Sequence, residues 1–278
     1  MGALINTYVD TAQLHQNLET RPMPRVRPRY LPPIRRKPWL GSATVGSLLR
    51  TIQPGPSRSL LLGQCDDGRP LLVELGDPEM GAILVSCDKG CGKTHQLQVM
   101  VDSALRLNAP SSLQFGVLTF KPEEWQAWQS EPQRMKYLQG IYAWYDPWAE
   151  GFIRTMVDLA EARRDGGRSG ADVLLILDDL NFIEELSYEA QVNLHWLLES
   201  GVHSGVWVLA AINSHQAVDF RYWVDTFRTR VIGKITSEAN TEILALRSNP
   251  TAAELAPGRF TVWAETDWRT YRLPLLGD

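Results

Sequence analysis

From residue 59 onward the chain alternates short apolar runs with stretches punctuated by glycine and aspartate. The length and period of each run predict an element. Residues 60–62 and 71–74 flank the turn segment Asp66-Asp67-Gly68 and predict a β-hairpin, after which residues 81–86 read as a short buried strand. Further buried strands are expected at 114–119, 173–177, 206–212 and 231–235. Helical patterns lie between them at 94–107, 151–164 and 188–199, the last with Leu194, Leu197 and Leu198 at helical spacing. Strand alternating with helix predicts an α/β fold whose mostly parallel central sheet carries helices on both faces. The apolar runs 259–263 and 268–273 around Glu265-Thr266-Asp267 predict a terminal hairpin, and no stretch repeats another.

Before residue 59 the texture differs. Residues 21–38 hold six prolines and seven basic residues. Each proline lacks a donor and fixes its own φ, so helix and central strand are excluded and an extended, polyproline-like segment is expected. Two readings stand for it: a solvated linker, or a strap laid on a partner subunit or a phosphate backbone, with Tyr30, Leu31 and Ile34 as apolar anchors.

Charge sharpens this division. The net charge of -4 is an average: residues 1–58 carry nine basic and two acidic residues, +7, and the rest nineteen against thirty, -11. The expected organisation is a basic Pro/Arg-rich arm, 1–58, and an acidic body, 59–278. With 44% hydrophobic residues and 10 Trp in 278, disorder as the main state is excluded. The longest apolar run, 206–212, falls far short of the roughly 20 residues of a bilayer-spanning helix, and no basic-then-apolar leader pattern opens the chain. Three cysteines, Cys65, Cys87 and Cys91, make neither a disulfide framework nor a paired zinc spacing. A cytoplasmic protein without a membrane partner is expected.

Chemistry enters directly after the first buried strand. Cys87-Asp88-Lys89-Gly90-Cys91-Gly92-Lys93-Thr94 stands between that strand and a helix, the order a phosphate-binding loop requires. Glycines let backbone N–H groups turn toward phosphate oxygens at the positive end of the helix, Lys93 reaches the outer phosphates, and the Thr94 hydroxyl ligates Mg²⁺. Asp88, Lys89, Gly90, Cys91, Gly92, Lys93, Thr94 and His95 are the expected nucleotide-binding set, with ATP and Mg²⁺ as cofactors. Cys87 stands where the pattern usually has Gly, which is tolerable if φ there stays negative. Cys87 and Cys91 are alternatively a metal or redox pair. The strand at 173–177 ends in Asp178-Asp179, an arrangement in which the first carboxylate holds Mg²⁺, with Thr94, and the second orients or deprotonates the attacking water. The plainer reading of two carboxylates at a strand end is a turn or helix N-cap. Asp179 is one methylene shorter than the more usual Glu, so slower turnover is expected.

With those motifs in place, residues 60–278 resemble the FtsK/HerA family of hexameric pumping ATPases. Residues 68–75 (Gly-Arg-Pro-Leu-Leu-Val-Glu-Leu) are similar to the family's hairpin segment, 119–124 to its Asp-Pro-Lys turn, and 158–164 to its Glu-Met-x-x-Arg-Arg helix. Residues 205–213 are similar to its Gly-Ile-His-x-x-x-Ala-Thr-Gln strand, which puts Asn213 where a side chain senses the γ-phosphate. Residues 227–231 and 253–260 resemble its last core strand and its close. The departures are Cys87, Asp179 for Glu, Asn213 for Gln, and Val202 where the family often has Arg.

The resemblance implies a RecA-like P-loop NTPase fold with added β-hairpins, behind an extended N-terminal arm, and a homo-hexameric ring that hydrolyses ATP. Lys93, Asp178, Asp179 and Asn213 would act in catalysis. Arg228 and Arg230 are the candidates for the cation a neighbouring subunit supplies, with Arg163 and Arg164 as alternatives. The cargo implied is DNA, tracked through the arm or through residues such as Arg134 and Lys136. Without the family's winged helix or membrane anchor, the chain would be a stripped motor domain. A second expectation is a nucleotide-dependent assembly or regulatory ATPase that recruits an effector or nuclease protein through the arm and the aromatics between Trp125 and Trp148.

Overall fold

Among the described residues, ten strands form one sheet in the order β2-β1-β10-β9-β8-β3-β7-β6-β4-β5. The computed structural model describes residues 43–52, 55–167, 169–245, 248–249, 251–264 and 267–278. The proline-rich stretch 21–38 and the anchors Tyr30, Leu31 and Ile34 lie outside them, as do Glu265 and Thr266 of the terminal hairpin.

The six core strands run parallel: β3 (Ile83–Cys87), β4 (Leu113–Thr119), β5 (Leu138–Ala143), β6 (Asp172–Asp178), β7 (Val206–Asn213) and β8 (Thr229–Ile232). Two antiparallel hairpins extend the sheet beyond β8, β1 (Ser59–Cys65) with β2 (Pro70–Glu74), and β9 (Arg259–Ala264) with β10 (Asp267–Arg272). This is the α/β architecture expected, with two differences. Strand β5 was not foreseen: Leu138-Gln139-Gly140-Ile141-Tyr142-Ala143 is a half-buried edge with a central glycine and little apolar contrast. Strand β8 starts two residues earlier and stops at Gly233, where a Cβ would sit 2.7 Å from that of Cys87.

Period-two alternation divides the core. Leu174 and Ile176 of β6, with Trp207, Leu209 and Ala211 of β7, face the helix α2 (Lys93–Leu107). Val173, Leu175 and Leu177, with Val206, Val208, Ala210 and Ile212, face the long helices at Trp148–Gly166 and Tyr188–Ser200. Burying a Leu, Ile or Val side chain contributes about 1.5–3 kcal/mol, so these two faces dominate the stability of the sheet. Helix α2 is tied down by polar contacts as well: Gln96 donates to the Leu62 carbonyl at 3.0 Å and accepts from the Tyr271 hydroxyl at 3.0 Å, and Ser103 Oγ accepts the Leu61 N–H at 2.8 Å.

Part of the segment expected to be arm belongs to this packing. Helix α1 (Val45–Arg50) opens on a capping box between Thr44 and Ser47 and buries Val45, Leu48 and Leu49 with Ile52 against Leu61, Leu72 and Val99. Its Val45 and Gly46 N–H groups bond to the carbonyls of Leu275 and Gly277. Packed structure therefore begins by Ala43, ahead of the boundary expected at 58, because four apolar residues within eight positions make one helical face that the hairpin's outer side needs covered. Among the described residues, no helix is long and apolar enough to cross a membrane.

Candidate functional site

The carboxyl ends of β3, β6 and β7 meet at one edge of the sheet, where open α/β sheets bind ligands. Strand β7 lies between β3 and β6, so the loop after β3 faces the last residues of both. Cys87 and Asn213, each closing its strand, are ladder partners.

The loop has the shape the sequence asks for. Gly90 and Gly92 sit at φ 84° and 104°, open to glycine and costly for other residues, whereas Cys87 is not among the positive-φ positions. Gly92 caps α2 without a side-chain hydrogen bond, which leaves orphan N–H groups at the helix start for an anion. Lys89 and Gly90 are exposed, Cys91 is buried, and His95 is held away by a 2.8 Å hydrogen bond between its Nε2 and the Pro274 carbonyl. Burial pushes the Cys87 thiol up to about 12, with Cys91 adding to it, so Cys87 stays protonated. Among the described residues, no group of three or more His, Cys, Asp or Glu assembles to hold a metal, and the pair reads as packing.

Asp88 does not face the ligand side. Its carboxylate accepts from Ser214 Oγ, and from the Thr236 N–H and hydroxyl at 3.1 and 2.7 Å, pinning the loop to the ends of β7 and β8. Burial works against the charge, but these donors and Lys234 hold its pKa below the usual carboxylate value.

The charged centre is a relay of side chains. Lys93 Nζ donates to Asn213 Oδ1 at 2.7 Å and more weakly to the Cys87 and Asp88 carbonyls at 3.4 Å. Asn213 Nδ2 donates to Asp179 Oδ2 at 3.1 Å. Asp178 accepts from the Thr94 hydroxyl at 3.0 Å on Oδ1 and from the Trp125 indole N–H at 2.9 Å on Oδ2. Burial raises the pKa of both carboxyls; the Trp125 and Thr94 donors counter it at Asp178, and the Asn181 N–H and Lys93 at Asp179. Asp179 holds φ 97°, ψ 112°, unusual for a non-glycine residue, and caps the turn after it by accepting the Asn181 N–H at 3.2 Å. The capping reading and the proximity to the phosphate loop thus hold together.

Thr94 and Asp178 bring hard oxygens to one point beside the loop, a donor set that fits Mg²⁺ with phosphate completing its shell. Lys93, Asn213 and Asp179 form a hydrogen-bonded chain directly beside this pair.

The candidate cations from a neighbour fare differently. Arg230 is buried, and its guanidinium is spent on the carbonyls of Phe227 at 2.9 Å, Leu244 at 3.3 Å and Val224. Burial lowers its pKa to about 10. It braces the segments around β8 from inside the chain, whereas the role expected for it calls for a side chain at the surface. Arg228 is half-buried against Gly81 at the opposite end of β8, about 17 Å along the strand from its own phosphate loop. Arg163 is buried on the carbonyls of Ser169, Ala171 and Ser204. Arg164 is exposed and lies over the Trp196 ring at 5.7 Å. Of the two expected to track DNA, Arg134 is engaged by Glu131, Asp102 and the Trp128 ring, and Lys136 is exposed.

Trp125, Ser214 and Thr236 were not visible as site residues in the sequence, since long-range register alone brings them in: Thr119 of β4 pairs with Asp178, which carries the segment after β4 over that carboxylate.

No protein-family model matches the chain, and no curated protein matches it in sequence. Solved structures do share its fold. EccC (ATPases 2 and 3) of Thermomonospora curvata, solved in complex with a signal sequence peptide, is 17% identical over 89% of this chain and 45% of that one, with a TM-score of 0.68. EssC (ATPases 2 and 3) of Geobacillus thermodenitrificans is 14% identical over 88% and 48%, TM-score 0.65. The pCW3 conjugation coupling protein TcpA, in a monomer form with ATPγS, is 17% identical over 78% and 66%, TM-score 0.58. The chain spans about half the length of the EccC and EssC chains. At these identities the likeness shows that the chain shares the fold of these ATPase domains.

Proposed function

We propose that this chain is a P-loop ATPase of the FtsK/HerA type that binds Mg²⁺ and ATP at the carboxyl edge of β3, β6 and β7, hydrolyses ATP as a homo-hexameric ring, and moves DNA. The observation that carries the reading is the convergence of residues up to 120 positions apart, from the start of α2 and the ends of β6 and β7, into two adjacent hydrogen-bonded sets: Lys93 with Asn213 and Asp179, and Thr94 with Asp178. In this site the loop N–H groups and Lys93 bind the phosphates. Thr94 and Asp178 would hold Mg²⁺, which would neutralise phosphate charge. Asp179 orients the attacking water and takes its proton, and Asn213 bridges Lys93 and Asp179, so that the γ-phosphate is sensed through its amide. Arg228 remains the candidate for the neighbour's cation.

The test is the ATPase rate of the purified chain with and without duplex DNA, across salt. A translocase is stimulated by DNA and loses that stimulation steeply as salt rises; a rate indifferent to DNA refutes the DNA cargo.

A second reading is favoured by the surface. Tyr145 and Trp148 are 68% and 72% exposed, and Tyr188 is 82% exposed. Aromatics left in water suit a protein partner, as in an assembly or regulatory ATPase that recruits an effector. EccC, whose fold is similar, was solved with a peptide. In that case nucleotide binding persists, hydrolysis is weak, and DNA has no effect.

A further inference from the structure

Asp178 is held from two sides. Its Oδ1 faces Thr94 and the phosphate loop, and its Oδ2 accepts the indole N–H of Trp125, which is fully buried. Trp125 closes a one-turn helix after β4 (Pro122–Trp125) and sits in an apolar cluster with Trp128, 5.9 Å between ring centroids, which in turn packs edge-on against Phe115 at 5.7 Å. The turn itself is tied to the phosphate-loop helix: Gln98 Nε2 donates to the Glu124 carbonyl at 2.7 Å. Thr94 and Gln98 are four apart on α2 and share a face. A closed circuit results, from Asp178 through Thr94 and α2 to Gln98, Glu124 and Trp125, and back to Asp178.

From this circuit we infer that Trp125 is a positioning residue for Mg²⁺ binding: its N–H fixes the orientation of the Asp178 carboxylate so that one oxygen is always presented to the metal beside Thr94. The inference rests on the nucleotide-binding reading above. A carboxylate in a largely apolar wall has two rotational states that exchange its oxygens, and a donor on one oxygen selects between them and satisfies the lone pairs that the metal does not use. An indole suits the task because it donates and never accepts, and its two rings pack into the apolar cluster beside Asp178. Trp128 belongs to the same cluster without a bond to Asp178 and serves as the control for packing.

The experiment measures the affinity of the full chain for a fluorescent, non-hydrolysed ATP analogue, once in Mg²⁺ and once in EDTA. For the wild type, Mg²⁺ tightens binding. Trp125→Phe removes the N–H, and the Mg²⁺-dependent tightening falls about 10- to 100-fold, the usual consequence of losing a partner of a metal ligand, while affinity in EDTA is unchanged. Trp128→Phe keeps the tightening. Should the phenylalanine variant not fold, 3-benzothienylalanine at position 125, which exchanges the N–H for sulfur at constant ring size, gives the same readout. Full Mg²⁺ tightening in the Trp125 variant overturns the inference, as does an equal loss in Trp128→Phe, which would make the effect one of packing. A wild type that binds the analogue in neither condition overturns the nucleotide reading itself, and the role of Trp125 falls with it.

Discussion

Replacing Arg230 by Met separates an internal brace from a residue that reaches into a neighbouring site. The guanidinium bonds the carbonyls of Phe227, Leu244 and Val224, and no part of the side chain is left for another subunit. Met keeps the aliphatic stem and strands three buried acceptors, each costing about 1–3 kcal/mol when unpaired. Part of this is returned, because burial disfavours the cation, as the pKa lowered to about 10 records. A net loss of about 2–4 kcal/mol follows, and for a domain of this size that lowers Tm by roughly 5–15 °C. The assay is thermal unfolding followed by circular dichroism, with ATPase measured well below the new Tm. The variant should unfold early yet retain most of its turnover per folded molecule, and mixing it with Lys93→Ala subunits should restore nothing. An unchanged Tm with turnover abolished, and activity recovered in the mixture, would refute the brace and return Arg230 to the role first expected of it.

Four other outcomes follow from the site. Asn213→Ala cuts the bridge between Lys93 and Asp179 and should lower turnover about 10- to 100-fold with nucleotide affinity little changed, a split read from kcat and KM in steady-state ATPase assays. Asp179→Gly and Asp179→Ala both lose the carboxylate, but only Gly accepts φ 97° without strain, so the Gly variant should be about 1–2 kcal/mol more stable than the Ala variant in urea titration. Asp88 has a folded pKa below its usual value, so its charge stabilises the fold above that usual value, and the contribution is lost as pH falls through the folded pKa. Asp88→Asn should therefore be less stable at pH 7 by about 1 kcal/mol and should show a shallower loss of stability below pH 4. Gly116→Ala places a Cβ 2.2 Å from the Phe152 ring and should cost about 1–3 kcal/mol in the same titration, without changing nucleotide affinity.

The core strands other than β5, and the glycine loop after β3, were legible in the sequence because each is written locally. Residues 173–177 are apolar without a break and end in two carboxylates, and Gly90 and Gly92 take the positive φ angles that only their own identity permits at low cost. Strand β5 was not legible, because an edge strand is held by one neighbour and its half-buried residues carry no period. Helix α1 was obscured by the basic residues before it: charge averaged over 58 positions hid four apolar residues that cover the hairpin. The identity of Asp178 and Asp179 was readable, but their partners were not. Trp125 lies 53 positions from Asp178, and Asp88 lies 126 from Ser214 and 148 from Thr236, separations that only the parallel register closes. Arg230 was misread for a related reason. An arginine at a strand entry looks available in sequence, and its three carbonyl partners come from the ends of two helices, at Val224 and Leu244, and from Phe227 before the strand, whose positions the fold decides.

Binding and hydrolysis of ATP at one site bear on all of these readings. In Mg²⁺, the purified wild-type chain should bind the labelled ATP analogue and release phosphate from ATP, and Lys93→Ala, with its Tm unchanged, should lose both. Equal binding and turnover in the wild type and the Lys93 variant, or no nucleotide binding by the wild type at any Mg²⁺ concentration, would contradict the assignment of this edge of the sheet as an ATPase centre.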